Sequence, residues 1–377
     1  MKDWKFKYYD VEDGVNWHGL ETECDWFMDM KDVPQDKIWH SEGDVQIHTK
    51  MVTNALLHLD AFKGLPEQYK HIMVTAALMH DIEKRSTTTE EVRDGRTCIV
   101  APRHAQKGER TARKLLYQVF GCPFNVREQI CALVRYHGVP LWGHDRDGYE
   151  KNVIQMSLRV SISLVGLISK VDVLGRNCPD QESLLDDIKY FSMICEDLDV
   201  AYEEHKFKNY ASRYYYLNNG GYKDIEMFDE AKFTVHMLSG IAGSGKDSFI
   251  KNCYPNLPMI SLDNIRREMG VSPTDKKGNG RVYQEAKERC KVLMRERKDF
   301  VFNATNLTRD MRGKWLNLFH EYSGKVVIDY IEVPYKKLIS QNSDREYKVP
   351  EKVIHKMIGG LEIPLYDEAW DVRYNNN

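Results

Sequence analysis

An all-α domain followed by an α/β domain with a parallel sheet is the fold class this sequence predicts. Three observations carry it: helical apolar stripes across residues 45–215, a breaker cluster at Asn218, Asn219, Gly220 and Gly221, and strands alternating with helices from Phe233 onward. The boundary is expected near residue 225, giving domains 1–225 and 226–377. A chain of 377 residues exceeds what one hydrophobic core usually supports.

In the first part, Met51, Ala55, Leu56 and Leu59 form one stripe, Ile72, Ala76, Leu78 and Met79 a second, and Ala112, Leu115, Leu116 and Phe120 a third. Strand signals are sparse there. Beyond the breaker, residues 234–238 read as a strand followed by a glycine loop and a helix. Residues 258–261, 300–303 and 325–331 read as further strands, and 282–297 as a helix. Such alternation places parallel strands in a sheet covered on both faces. There is no internal repeat, and the only biased run is the asparagine tail 375–377.

Hydrophobic content of 42% and charged content of 29% describe a soluble globular chain, and a net charge of −3 leaves room for a local basic groove. The eight cysteines are scattered without a Cys-x-x-Cys pair, which argues against a zinc ribbon or a disulfide scaffold and for reduced thiols. Lys2, Asp3 and Lys5 charge the amino terminus, with no apolar signal region behind it. The most apolar stretch, 160–175, is broken by Ser161, Ser163, Ser169, Lys170 and Asp172 and is too short to span a bilayer. The expectation is a cytoplasmic protein without a membrane partner.

Directly after the 234–238 strand come Gly240, Gly243, Ser244, Gly245, Lys246, Asp247 and Ser248. Glycines at this spacing let backbone N–H groups turn towards a polyphosphate, the helix adds its positive end, and Lys246 reaches the β and γ phosphates. ATP or another NTP with Mg²⁺ is the implied cofactor. The position after the lysine usually holds a Ser or Thr ligand to Mg²⁺; here it is Asp247, so either Ser248 or the Asp247 carboxylate serves the ion. The strand ending at Asn303 lacks the acid that phosphate-loop enzymes often carry there. Asp263 and Arg266, three residues apart at the end of the second strand, share a helix face; the acid can take a hydroxyl proton and the arginine can balance phosphate charge. As a helix cap, Asp263 would do neither. Arg345 suits a lid that closes over the transferred group. Residues 275–298 hold nine Lys/Arg against four Asp/Glu, which fits either phosphate contacts or a solvated helix face.

This half, from about 232 to 370, resembles the kinase domain of polynucleotide 5′-hydroxyl kinases of the phage and bacterial end-healing type. By that resemblance Lys246, Asp263, Arg266 and Arg345 carry phosphoryl transfer.

In the first half, His80 and Asp81 end an apolar helix, with His48 upstream and His104, His137 and Asp172 downstream. Four histidines and two aspartates on successive helices can converge in a bundle core as metal ligands. The order resembles the HD phosphohydrolase superfamily over residues 38–175. The resemblance implies one metal held by His48, His80, Asp81 and Asp172, and a second held by His104 and His137, with Asp81 bridging. Two divalent transition-metal ions follow, from among Mn, Fe, Co, Ni and Zn. Lys84 would steady the phosphate, Arg103 and Arg135 are looser assignments, and His40 stands outside the ligand set.

The whole resembles a bacterial family that fuses an HD phosphoesterase to a polynucleotide kinase. That implies nucleic-acid end repair: removal of a 2′,3′-cyclic or terminal phosphate, phosphorylation of a 5′-OH, RNA favoured over DNA, and a separate ligase to seal the ends. The same motifs also fit a nucleotide phosphohydrolase joined to a small-molecule kinase, or a nucleotide-gated signalling protein.

Overall fold

A computed structural model describes residues 3–144 and 146–376; Met1, Lys2, Asp145 and Asn377, hence the first residues of the charged start and the last of the asparagine tail, lie outside it. The chain forms two compact units, Met1–His205 and Lys206–Asn377.

The first unit is mainly helical. Its framework is α1 (Val45–His58), α2 (Glu67–Met79), α3 (His104–Gln118), α4 (Phe124–Tyr136) and α5 (Ile162–Leu174). Every residue from His71 to Met79 in α2 is buried, as expected of a helix apolar on all sides, and α1, α4 and α5 all pack against it. Between α2 and α3 lies a hairpin of β1 (Thr89–Arg93) and β2 (Arg96–Val100), which the sequence pattern does not announce because every residue of β1 is exposed.

The second unit opens on α6 (Tyr210–Asn219). Its α/β core follows as β3 (Phe233–Ser239), α7 (Lys246–Cys253), β4 (Met259–Ser261), α8 (Leu262–Glu268), α9 (Lys276–Arg295), β5 (Phe300–Asn303), α10 (Arg309–Glu321), β6 (Gly324–Glu332), α11 (Tyr335–Ser343) and β7 (Asp371–Asn376). The five strands lie in the order β4-β5-β3-β6-β7, and every pairing is parallel. Alternate residues serve the two faces: Val235, Met237, Phe300 and Phe302 pack with Trp315 and Phe319, while Leu238 and Val301 pack with Ile250. The four expected strands are present, and β7 is a fifth, its Asn375 and Asn376 in register with Ile331 and Glu332. The unit begins ahead of the glycine breaker: Arg213 of α6 pairs with Asp371 at 3.2 Å, and Asn218 donates to the Asp367 carbonyl at 3.0 Å. No helix among the described residues is long and apolar enough to cross a membrane. All eight cysteines are free.

Candidate metal centre and nucleotide site

The helices of the first unit bring six side chains to one place. Asp44 caps α1 by accepting from the Ile47 N–H at 2.8 Å, which sets His48 one turn inside. His80 and Asp81 follow the last turn of α2, His104 opens α3, His137 follows α4, and Asp172 lies in α5. All but the part-exposed His104 are buried.

Asp81 stands between two pairs of imidazoles. Its Oδ2 is 3.2 Å from His80 Nε2 and 3.6 Å from His48 Nε2; its Oδ1 is 3.3 Å from His104 Nε2 and 3.9 Å from His137 Nε2. Asp172 Oδ1 joins the first pair, 3.1 Å from His48 Nε2 and 4.0 Å from His80 Nε2. Within each pair the two Nε2 atoms are 3.4 Å apart. Donors about 2.1 Å from a tetrahedral ion sit roughly 3.4 Å from one another, so this spacing suits a shared cation on each side of Asp81.

The outer edge of each ring explains why Nε2 points inward. His80 Nδ1 lies 2.7 Å from the Ala77 carbonyl, His104 Nδ1 2.7 Å from that of Ala101, and His137 Nδ1 2.9 Å from that of Val134. With Nδ1–H donating, the lone pair is left on Nε2. His48 differs: its Nδ1 faces Glu42 Oε1 at 2.9 Å, and the same oxygen lies 2.8 Å from His40 Nδ1. Glu42 therefore supports the ligand set from behind, and with His40 and His48 forms a third cluster of potential ligand atoms. The residues fit a metal pair on a further ground: Asp81 Oδ1 is buried without a hydrogen bond among the described residues, a penalty that coordination would remove.

Burial pushes the His137 pKa down to about 3, aided by His80 and His104, and burial also lowers His104; both rings are thus neutral donors. Burial would raise the Asp81 carboxyl, but Lys84 and His80 prevail and hold it well below the usual range. Burial likewise opposes ionisation of Asp172, and Arg176 prevails. Lys84 Nζ is 2.7 Å from Asp81 Oδ2, and the Arg176 guanidinium lies 3.0 and 2.9 Å from the two Asp172 oxygens. A cleft of about 890 Å³ opens onto this cluster, with Lys84, Arg135 and Arg176 in its lining. Arg103 is exposed, left-handed at φ 57°, at the start of α3.

In the second unit, β3 runs into the glycine loop and α7 starts at Lys246. Gly240 sits at φ 151°, and a Cβ there would lie 2.4 Å from the Ile331 carbonyl oxygen, so only glycine lets the loop turn against β6. Gly243 and Gly245 also have positive φ, 88° and 94°. The first N–H groups of α7 carry the positive end of its dipole. Lys246 Nζ donates to the carbonyls of Gly240 (2.8 Å) and Ile241 (2.9 Å). Burial of that ammonium pushes its pKa down to about 8; Asp247 and Asp263 act against this and Arg345 with it. All three charged groups therefore act on Lys246.

Asn303, where an acid was missing, donates its Nδ2 to Asp247 Oδ1 at 2.8 Å. Ser248 is exposed beside it, and Ser244 is buried with its Oγ unpaired among the described residues. Ser261 caps α8, which leaves Asp263 to pair with Arg266 on the exposed face; Arg266 Nε also donates to Asn279 at 2.9 Å. In the basic stretch, Arg289, Lys291 and Lys298 are each committed to a neighbouring glutamate.

The AAA domain family matches residues 235–364. Over 146 residues the chain is 24% identical to an L-seryl-tRNA(Sec) kinase of Methanococcus maripaludis, a match that takes in 36% of this chain and 55% of that protein. The chain thus spans about half the length of this curated relative. A solved structure of a candidate kinase from Chloroflexus aurantiacus overlaps 38% of this chain and 88% of its own, with a TM-score of 0.32 and 11% identity. Residues 235–364 form a P-loop kinase-like domain. Such a domain implies ATP and Mg²⁺.

Beneath the kinase-like loop lie supports that local sequence does not mark. Asn306, left-handed at φ 46°, donates its Nδ2 to the Leu238 carbonyl at 2.7 Å, and its own carbonyl accepts from Ser239 and from Arg312. Arg312 is fully buried and holds both Glu368 oxygens, at 2.7 and 2.8 Å. In the first unit the sequence reading likewise passed over Glu42 and Arg176. A carboxylate six residues before His48 and an arginine four after Asp172 were the available signals.

Proposed function

We propose that this chain heals nucleic-acid ends, preferentially RNA. The first unit hydrolyses a 2′,3′-cyclic or terminal phosphate as an HD-type phosphohydrolase, and the second transfers the γ-phosphate of ATP to a 5′-hydroxyl. A separate ligase would then seal the product. The observation that carries the hydrolytic half is Asp81, with one oxygen turned to each pair of imidazoles.

When bound there, a pair of divalent cations supplies Lewis acidity, making a water more acidic and drawing charge from phosphate oxygens. The chain's own residues do the remaining work. Four Nε2 atoms, oriented from behind, face inward as donors, those of His104 and His137 on neutral rings. Asp172, steadied by Arg176, completes the first set. Lys84 exchanges its partner Asp81 for a phosphate oxygen, and Arg135 meets the phosphate from the cleft wall.

In the kinase-like domain the glycine loop wraps the polyphosphate, and Lys246 leaves the two loop carbonyls for phosphate oxygens. Asp263 accepts the proton of the attacking hydroxyl while Arg266 balances the charge, and Arg345 closes over the transferred group. Asp247, oriented by Asn303, and Ser248 are the groups offered to Mg²⁺. The name of the Methanococcus maripaludis relative denotes a kinase acting on L-seryl-tRNA. That supports an RNA-borne hydroxyl as acceptor, and it keeps a second reading open, in which the hydroxyl belongs to an aminoacyl group.

The test is transfer from labelled ATP to 5′-OH RNA, 5′-OH DNA and seryl-tRNA, alongside hydrolysis of 2′,3′-cyclic-phosphate ends with each of Mn, Fe, Co, Ni and Zn. Transfer to 5′-OH RNA and ion-dependent release of the cyclic end are expected. Transfer to seryl-tRNA alone would favour the second reading, and no hydrolysis with any ion would retire the phosphohydrolase.

A further inference from the structure

We propose that the cleft over the imidazole–carboxylate cluster seats the last two nucleotides of a single-stranded nucleic acid, with Trp39 and Trp142 each stacking one base. The inference deepens the hydrolytic reading and rests on it for why a strand end should come to this place. Trp39 belongs to the segment leading into α1, and Trp142 ends the short helix Val139–Trp142 that follows His137. Far apart in sequence, both line the same 890 Å³ cleft. They are 42% and 51% exposed, whereas Trp4, Trp26 and Trp315 are buried in the core. An indole held in a concave wall yet open to water has its apolar face available to a planar partner, and unstacked bases are such partners.

Charge on the walls points the same way. Arg93, Arg135 and Arg146 line the cleft, in addition to Lys84 and Arg176 at the cluster. Apart from the ligands, the acids in the lining are Asp147, Asp180 and Asp36, the last paired with Arg96 at 3.1 Å. Guanidinium groups lining the same cleft as two aromatic platforms, with Arg93 also paired to Glu91 at 2.9 Å, match a backbone that alternates phosphate and base. The cluster is buried at the cleft floor, so the phosphate that reaches it belongs to a strand end, and bases still paired in a duplex would have no free face for the indoles. Two platforms predict two stacked nucleotides. The cleft volume, near the upper end of small-ligand pockets at roughly 1,000 Å³, has room for both.

Fluorescence anisotropy on the full-length protein without ATP tests this, using 5′-fluorescein, 3′-phosphorylated oligouridylates of one, two and six nucleotides. The blocked 5′ end removes the kinase acceptor. Affinity is expected to rise from one to two nucleotides and then level off, with a 3′ end held in duplex binding poorly. Trp39→Ala and Trp142→Ala should each raise Kd at least about fivefold, the stacking of one base, while Trp39→Phe and Trp142→Phe retain most of the affinity. Bound-metal content and circular dichroism identify any variant that has lost its fold, and the phenylalanine variants then carry the comparison. Equal affinity for one and two nucleotides, or unchanged Kd in both alanine variants, overturns the proposal. Tryptophan-dependent binding without hydrolysis under any ion would retire the hydrolytic reading and leave the cleft assignment standing; hydrolysis with tryptophan-independent binding would do the reverse.

Discussion

Glu42 is the residue whose chemistry is least apparent from its own position. The rings of His80, His104 and His137 are each aimed by a backbone carbonyl, but the Nδ1 of His48 meets a carboxylate. Glu42 also accepts the Asn177 N–H at 2.9 Å, so one side chain links the ligand that opens the order to the segment just after Asp172. Its burial would raise the carboxyl pKa, yet hydrogen bonds from His40, His48 and the Asn177 amide hold it far below the usual range. A charged acceptor makes the opposite nitrogen of an imidazole a better donor to a cation, and removing such a partner commonly weakens metal affinity by about 10- to 100-fold. Glu42→Ala should therefore lose affinity for the first ion on that scale, read by competition with a chromophoric chelator. Glu42→Gln, which keeps the shape and a hydrogen bond, should lose less. Affinity within twofold of the parent in both variants would mean that Glu42 serves packing alone.

Helices place these residues, and their close approach sets the tolerance. A Cβ on Gly175, at the end of α5, would lie 2.5 Å from the backbone N of Val52 in α1, so the two helices touch where Asp172 meets His48. Gly175→Ala must push them apart; overpacking of this kind costs about 1–3 kcal/mol. A lower Tm together with loss of the first ion is expected, and a variant with parental Tm and metal content would show that the helices yield without disturbing the site. Behind the α3–α4 pair lies a second network, in which Glu109 meets Arg113 at 2.8 Å and Arg159 at 2.7 Å. Burial raises the Glu109 carboxyl, but Arg159 and Arg113 prevail and bring it down to about 2. A folded-state pKa below the ordinary value of about 4.3 contributes stability that is complete above the latter and lost as pH falls towards the former. Calorimetry should show Tm of the first unit falling through that window, with a shallower fall in Glu109→Gln; equal slopes would assign the acid sensitivity elsewhere. Helices such as α3 were legible because apolar residues recur at helical spacing along one face. The strand β1 was not, since five exposed residues leave no alternation to read. Nor was the affiliation of α6, decided by Arg213 stacking 4.2 Å from the Tyr366 ring and pairing with Asp371, contacts that no local pattern contains.

At the scale of the molecule, the sites separate by unit. His48, His80, Asp81, His104, His137 and Asp172 all lie within Met1–His205, and the glycine loop, Asp263, Arg266 and Arg345 all lie within Lys206–Asn377. The six histidines and aspartates could be marked in the sequence because their residue types are costly to bury without a purpose, and the geometry brings all six together. The pairing of Asp247 with Asn303 was not visible, because their hydrogen bond joins the first turn of α7 to the end of β5, 56 residues further along the chain. If each unit owns its chemistry, a substitution in one should leave the other's reaction intact. Lys246→Ala removes the only lysine of the glycine loop, the ammonium that the proposed function assigns to the transferred phosphate, so 5′-phosphorylation should fall by at least about 10³-fold, some 4 kcal/mol of transition-state stabilisation. Release of cyclic phosphate by that variant should stay within twofold of the parent. The His80→Ala, Asp81→Ala double variant should show the converse. A ligand stabilises the unit that holds it by an amount set by its concentration over Kd, about 2.7 kcal/mol at a hundredfold excess. ATP with Mg²⁺ should accordingly shift only the calorimetric transition that Lys246→Ala leaves unresponsive, and Mn²⁺ only the one that the double variant leaves unresponsive. A single transition moved by both ligands, or loss of both reactions in a folded Lys246→Ala protein, would show that the two sites are coupled, and the chain would then act as one gated machine in place of two joined enzymes.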